Sequence, residues 1–199
     1  MRFIGITGGV GSGKTLILNY LRENTNCRVI LADDLANELK KPGKPCFKPL
    51  VELLGKEILS SDNEIDNKKM SGIVFNNASL LQKVNDIIHP AVKDEILKIR
   101  DFEEYYPKTD FLFLEAALLI ECGYKNIVDE LWYVYVDRDT RIKRLMDSRG
   151  YSKEKTLGIM SKQLSDDVFR ENCDFIIDNS KTPEYAYEQI RQRLEEYNA

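Results

Sequence analysis

Gly8-Gly9-Val10-Gly11-Ser12-Gly13-Lys14-Thr15 satisfies the spacing G-x-x-x-x-G-K-[ST] in full. Glycines so placed let successive backbone N–H groups converge on one point, and a helix starting there adds the positive end of its dipole. The result is a phosphate cradle. In it Lys14 reaches the β- and γ-phosphates of a nucleoside triphosphate, and the Thr15 hydroxyl ligates Mg²⁺. The expected phosphate-binding set is Gly8, Gly9, Gly11, Ser12, Gly13, Lys14, Thr15 and Leu16. The motif requires a strand before it and a helix after it. Arg2–Thr7 is a short apolar, β-leaning run, and Leu16–Arg22 has helical apolar spacing.

Further chemistry-bearing residues stand where later strands end. Asp33 directly follows the candidate strand Arg28–Ala32 and can orient an acceptor hydroxyl for in-line attack. Asp33 or Asp34 can equally cap a helix beginning near Leu35. Glu115 ends a third candidate strand, Phe111–Glu115, where such enzymes hold the Mg²⁺ shell, often through water. Glu121 is either a helix-start residue or an acceptor contact. Arg138, Arg141, Lys143, Arg144 and Arg149 form a basic cluster. Arg141 and Arg144 are three apart and share a helix face, so they can point together at phosphate. Lys40, Lys41, Lys44 and Lys48 surround Pro42-Gly43 and form either a solvated turn or a contact for an anionic acceptor.

The elements that position these residues alternate. Leu131–Val136 and Asp174–Asp178 complete five strand candidates, mostly continuous apolar runs separated by helical patterns. That pattern predicts an α/β fold with a five-stranded parallel sheet covered by helices on both faces. Ligands in such folds gather at the carboxyl ends of the strands. About eighty residues separate the second and third candidates, too many for one crossover helix. They contain helical pieces at Asp34–Lys40, Phe47–Leu54, Lys68–Phe75 and Ser79–Phe102, and His89-Pro90 is expected to open a helix there. The expected organisation is one domain: a core of about 1–33, 108–138 and 172–199, a helical acceptor-binding insertion of about 34–107, and a helical lid of about 139–171. A helical stretch over Thr140–Phe169 supplies the lid, and Pro183–Tyr197 reads as a closing amphipathic helix.

A net charge of −4 over 199 residues provides no basic excess for gripping nucleic acid. No apolar stretch approaches the roughly 20 residues that span a bilayer, and the first residues lack a signal-peptide pattern. A cytoplasmic protein with no nucleic-acid or membrane partner is expected, as a monomer or weak homo-oligomer. Cys27, Cys46, Cys122 and Cys173 form no C-x-x-C pair and accompany a single histidine, so they read as ordinary small apolar residues. Asp147-Ser148-Arg149-Gly150 matches D-x-x-G only inside the lid helix, and Asn67-Lys68-Lys69-Met70 lacks the guanine-reading aspartate. These features disfavour a switch GTPase. An acceptor insertion, a carboxylate and an arginine-bearing lid that excludes water are the parts of a small-molecule kinase.

The chain resembles the dephospho-CoA kinase family over nearly its whole length. The likeness rests on Ile4–Lys14, Ala32-Asp33 with Leu35-Ala36, Pro42-Gly43, Leu54-Gly55, Ile65-Asp66, Ile73-Val74-Phe75, His89-Pro90, Leu118-Leu119-Ile120-Glu121, Arg144, Gln163 and Ile177-Asp178-Asn179 in that order. It implies a P-loop kinase that transfers the ATP γ-phosphoryl group to the ribose 3′-hydroxyl of dephospho-CoA, the last step of coenzyme A synthesis, with ATP and Mg²⁺. It further implies Asp33, Lys14 and Arg144 as catalytic residues, Asn179 near the adenine, and Asp33, His89, Leu118 and Glu121 toward the acceptor. Leu31, Asn37, Asn67 and Ala117 depart from the family pattern. Leu31 replaces an aspartate, Asn37 and Asn67 stand where a basic residue is common, and Ala117 replaces a frequent proline. The rival readings are a nucleoside-monophosphate-type kinase, which predicts more arginines before Arg100, and a slowly hydrolysing switch protein.

Overall fold

The computed structural model describes residues 1–75 and 77–197. In chain order the first half holds β1 (Arg2–Thr7), α1 (Lys14–Asn24), β2 (Cys27–Leu31), α2 (Ala32–Leu39), α3 (Phe47–Leu54), α4 (Asn67–Val74) and α5 (Ala78–Tyr105). The second half holds β3 (Phe111–Glu115), β4 (Glu130–Tyr135), α6 (Arg138–Arg149), α7 (Lys153–Met160), α8 (Asp166–Asn172), β5 (Phe175–Asp178) and α9 (Pro183–Glu196). The chain forms two compact units, Met1–Ile30 with Tyr106–Ala199, and Leu31–Tyr105.

The first unit is built on a five-stranded sheet of order β2-β3-β1-β4-β5. The ladders of β1 with β3, β1 with β4, and β4 with β5 are all parallel, pairing Ile4 with Phe113, Ile6 with Trp132, and Trp132 with Phe175. Such strands are covered on both faces, so they are apolar throughout. Phe3, Ile4, Ile6, Leu112, Phe113, Leu114, Leu131, Trp132 and Val134 are all buried. Trp132 lies 5.9 Å from Phe113 and 5.2 Å from Phe175, ring centre to ring centre, the second contact edge-on. Central β1 ends at the glycine-rich loop, between β3 and β4. This strand order puts the ends of three adjacent strands beside that loop. On one face α9 meets α1 through Tyr20 and Tyr187, stacked at 4.1 Å. Thr182 caps α9 and Pro183 opens it, where a missing N–H costs nothing.

The single lid helix expected over Thr140–Phe169 is instead three helices. Gly150 ends α6 in the left-handed conformation, φ 62. The hydroxyls of Ser152 and Ser165 then cap α7 and α8 by accepting from Lys155 N–H and Val168 N–H. Glycine beyond a last turn followed by a serine cap is a stop-and-restart signal.

The second unit is helical. Leu39, Cys46, Leu50, Leu54, Ile58, Met70, Val74, Val84, Val92 and Ile96 form its core. Asp66 caps α4 by accepting from the backbone N–H of Lys68 at 2.8 Å and of Lys69 at 3.1 Å. Two expectations need correction here. Helix α2 begins at Ala32, with Leu31 as its capping position and no side-chain cap. Neither Asp33 nor Asp34 is therefore a cap; both lie in the first turn, where carboxylates favour the helix dipole. His89-Pro90 does not open a helix either. Both residues lie within α5, which starts where Asn77 Oδ1 accepts from Leu80 N–H at 2.9 Å. The long apolar stripe on both sides of Pro90 outweighs its one lost backbone hydrogen bond.

Candidate active site

The loop from Gly8 to Gly13 joins β1 to α1 and is shaped by what packs behind it. Gly13 caps α1 in the left-handed region, φ 91 and ψ 25. A Cβ there would lie 2.3 Å from Asn179 Nδ2, and one on Gly8 would lie 2.7 Å from the Val134 carbonyl oxygen. Only glycine fits either place. Helix α1 has no side-chain cap and no acidic residue in its first turn, so its leading N–H groups and dipole favour an anion. Asn179, fully buried, donates from Nδ2 to the Ser12 carbonyl at 2.8 Å and from its backbone to the Tyr135 carbonyl at 2.8 Å. It ties the end of β5 to the loop. Thr7 Oγ1, Ser12 Oγ and Asn179 Oδ1 are buried without a hydrogen-bond partner among the described residues. Buried polar atoms are normally satisfied. Three such exceptions gather around this one loop.

Lys14 opens α1 and folds back over the loop. Its ammonium donates to the Gly8 carbonyl at 2.8 Å and lies 3.4 Å from Glu115 Oε1. Glu115 ends β3, beside β1, so the parallel register itself brings the two side chains together. Thr15 is exposed at the next position. Among the described residues no cluster of three or more His, Cys, Asp or Glu is arranged to hold a metal ion.

The lid residues reach the same loop. Arg141 is 7 % exposed and donates from Nε to the Val10 carbonyl at 2.8 Å. It also bonds Gln163 Oε1, which in turn accepts from the Val10 N–H at 3.2 Å. Leu145 packs where a Cβ on Gly11 would come within 2.8 Å of its Cγ. One turn along α6, Arg144 Nη1 lies 3.7 Å from the Cβ position of Gly13. Both arginines thus face the loop, as their spacing predicts. Burial lowers the Arg141 pKa from its ordinary value, countered by Tyr133 and Asp166; a guanidinium stays charged regardless. Tyr133 donates to Asp166 at 2.7 Å and stacks on Phe169. Burial first, then Asp166, pushes its phenol well above the usual tyrosine range. This Tyr133–Asp166 tie between β4 and α8 has no signature in the sequence, since 33 positions separate the pair.

The remaining expected site residues are placed as follows. In the first unit, Leu118 is 49 % exposed and Glu121 is exposed, both in the turns that follow β3. In the second unit, Asp33 is exposed in the first turn of α2, and His89 is half-buried in α5.

A parallel sheet of this order, with a glycine-rich loop and invading lysine after its central strand, defines a P-loop phosphotransferase. Solved structures share the fold. They include a dephospho-CoA kinase from Campylobacter jejuni (TM-score 0.75, 22 % identity, all of both chains). A Thermus thermophilus structure aligns at TM-score 0.81 and 24 % identity over 98 % of this chain and 97 % of that one. A shikimate kinase from Bacteroides thetaiotaomicron aligns at TM-score 0.55 and 13 % identity over 100 % and 99 % of the two chains. The dephospho-CoA kinase family model matches residues 2–184. Curated dephospho-CoA kinases from Carboxydothermus hydrogenoformans and Geobacter sulfurreducens are each 35 % identical. Each alignment covers 98 % of this chain, with 93 % and 96 % of those proteins respectively. The chain belongs to the dephospho-CoA kinase family.

Proposed function

We propose that this protein transfers the γ-phosphoryl group of ATP to the ribose 3′-hydroxyl of dephospho-CoA, giving coenzyme A and ADP. Its family membership supports the acceptor. The observation that carries the chemistry is Lys14, held between the Gly8 carbonyl and Glu115 beside three unpartnered buried polar atoms. The Thr7 and Ser12 hydroxyls can donate to triphosphate oxygens, as can the leading N–H groups of α1. In the transfer the 3′-oxygen bonds to the γ-phosphorus, and the bond from phosphorus to the β–γ bridging oxygen breaks. ADP leaves with that electron pair. The hydroxyl proton passes to the Asp33 carboxylate late in the step and then to solvent. Full deprotonation by an ordinary aspartate is uphill, so Asp33 acts chiefly by aligning the oxygen. Thr15 and Glu115 would hold Mg²⁺, which would neutralise charge on the β- and γ-phosphates. Arg144 and Arg141 face the transferring group from the lid and help keep water out.

Asn179, beside the end of the loop, supports the nucleotide subsite. His89, Leu118 and Glu121 serve the acceptor, and the helical unit Leu31–Tyr105 binds it. The reaction belongs in the cytoplasm and needs no nucleic-acid or membrane partner. No helix among the described residues is long and apolar enough to cross a membrane. The test is ADP release with dephospho-CoA, AMP, shikimate or no acceptor. Stimulation by dephospho-CoA alone supports the reading; equal rates in every tube refute it.

A further inference from the structure

Asn37 and Asn67 are joined to each other and to a lysine. Asn67 Nδ2 donates to Asn37 Oδ1 at 3.1 Å, and Lys40 Nζ donates to Asn67 Oδ1 at 2.6 Å. Lys40 differs from the lysines around it. It is 8 % exposed, whereas Lys41, Lys44 and Lys48 are exposed, the first two paired with Glu38 and the third with Glu52. Burying an ammonium against an amide oxygen, with no carboxylate in direct contact among the described residues, is costly unless the charge has a use. The three residues line a hollow of about 180 Å³ with Lys41, Glu64 and Ile65. Lys41, next to Glu38 and influenced by Glu64, offsets the carboxylate charge on that rim.

The placement along α2 supplies the ligand chemistry. Asp33, Asn37 and Lys40 stand at i, i+4 and i+7, on one face of the helix. Seven residues at 1.5 Å each separate Asp33 from Lys40 by about 10 Å along the axis. Burial lowers the Lys40 pKa, and Cys46 and then the Asp33 carboxylate act against it electrostatically. A hydroxyl-orienting carboxylate at one end of a stripe and a buried cation at the other suit a nucleotide acceptor that presents both a ribose hydroxyl and a 5′-diphosphate. The amide N–H groups of Asn37 and Asn67 are further donors beside that cation.

Resting on the acceptor assignment above, we propose that Lys40, seated by Asn67 and Asn37, binds the acceptor's diphosphate. It supplies the cationic contact there and makes transfer selective for a diphosphate-bearing ribose. Lys40 is thus a specificity residue of the acceptor site, used for binding rather than for the chemical step.

The test compares Lys40→Met and Lys40→Arg in the full chain, with dephospho-CoA and adenosine as alternative acceptors. Losing a charge-assisted contact predicts a KM for dephospho-CoA raised about 10–100-fold in Lys40→Met. The same account predicts little change in kcat, recovery of most of the affinity in Lys40→Arg, and unaltered use of adenosine. An unchanged KM for dephospho-CoA, or an equal loss with both acceptors, overturns the proposal. Should Lys40→Met not fold, the unmodified protein still decides the matter. Raising the salt concentration must then weaken dephospho-CoA binding and spare adenosine, and equal effects on both refute it. Unmodified protein that ignores dephospho-CoA yet phosphorylates another acceptor refutes the function proposed above. Unmodified protein that accepts it while Lys40→Met keeps its KM refutes only the role of Lys40.

Discussion

The Lys14 ammonium, at the start of α1, lies 3.4 Å from the Glu115 carboxylate at the end of β3. The pair is mostly buried, with the two side chains 15 % and 17 % exposed. Glu115 restrains the lysine while the Gly8 carbonyl turns it over the loop. On the proposed reading, incoming phosphates compete for the same ammonium and so free Glu115 for the metal shell. Glu115→Gln is therefore expected to raise the Mg²⁺ concentration for half-maximal activity by about 10–100-fold, the usual cost of losing an outer-shell partner. A Mg²⁺ titration of initial rates measures it, and an unchanged midpoint removes Glu115 from the metal site.

Lys14→Ala abolishes productive phosphate binding on this account. The loop keeps its shape through Asn179, so nucleotide binding weakens while the fold stays intact. Calorimetric titration with an ATP analogue, beside a thermal melt, separates the two effects. Normal turnover in that variant contradicts the cradle assignment.

Asp33→Asn keeps the shape of α2, because Asp33 is exposed and makes no cap. The expected result is unchanged ATP binding with turnover reduced by a factor on the order of 10²–10⁴, the span for a positioned acid–base group. Single-turnover rates with bound ATP give the number. Full activity moves the alignment role to another group.

Arg141→Ala removes the side chain that joins Val10 to Gln163. A hydrogen bond to a charged group lost from the site predicts a drop in kcat/KM for ATP of about 10–100-fold. Acceptor-independent hydrolysis should rise relative to transfer, because the lid then seats poorly over the loop. Equal ratios of hydrolysis to transfer in both proteins argue against Arg141 as a lid fastener.

The opposite end of the sheet governs acid stability. Glu130 accepts hydrogen bonds from Tyr197 at 2.6 Å, Arg193 at 2.9 Å, Trp132 at 3.1 Å and Arg2 at 3.3 Å. Burial alone raises its pKa, but the bonds from Tyr197, Arg193 and Trp132 together outweigh burial and hold the carboxyl below the usual glutamate range. A group with a depressed folded pKa stabilises above its unfolded value and loses that contribution as pH falls through the folded value. Glu130→Gln should cost about 1–3 kcal/mol at neutral pH. The difference from the parent should shrink as pH drops below about 4.5, the ordinary glutamate value. Melting temperatures from pH 7 to pH 3 test this; a constant difference contradicts it.

Much of this architecture is legible in the residues because its signals are local. The loop motif specifies strand, turn and helix within fifteen positions, and the apolar runs around Phe113 and Trp132 are too uniformly buried to be anything but central strands. Helix α3 runs from Phe47 to Leu54 as its spacing predicts. Signals fail where two local rules compete. Pro90 reads as a helix start, but the apolar stripe of α5 continues through it. Asp33-Asp34 reads as a cap, yet α2 begins earlier because Leu31 is already the turning residue. Gly150 and the two serine caps that divide the lid were visible, but the charged pattern around Arg141 and Arg144 masks them. Contacts between distant positions are the least legible. Arg141 on Val10, Tyr133 on Asp166, and Lys40 on Asn67 each depend on packing that no spacing rule encodes.

The most direct test follows the phosphorus atom. Protein is incubated with ATP labelled at the γ-position, Mg²⁺ and dephospho-CoA, and the products are separated and mapped. The account predicts label on the ribose 3′-oxygen of coenzyme A, with one ADP formed for each label transferred. Label recovered as inorganic phosphate, or on any other position of the acceptor, contradicts it.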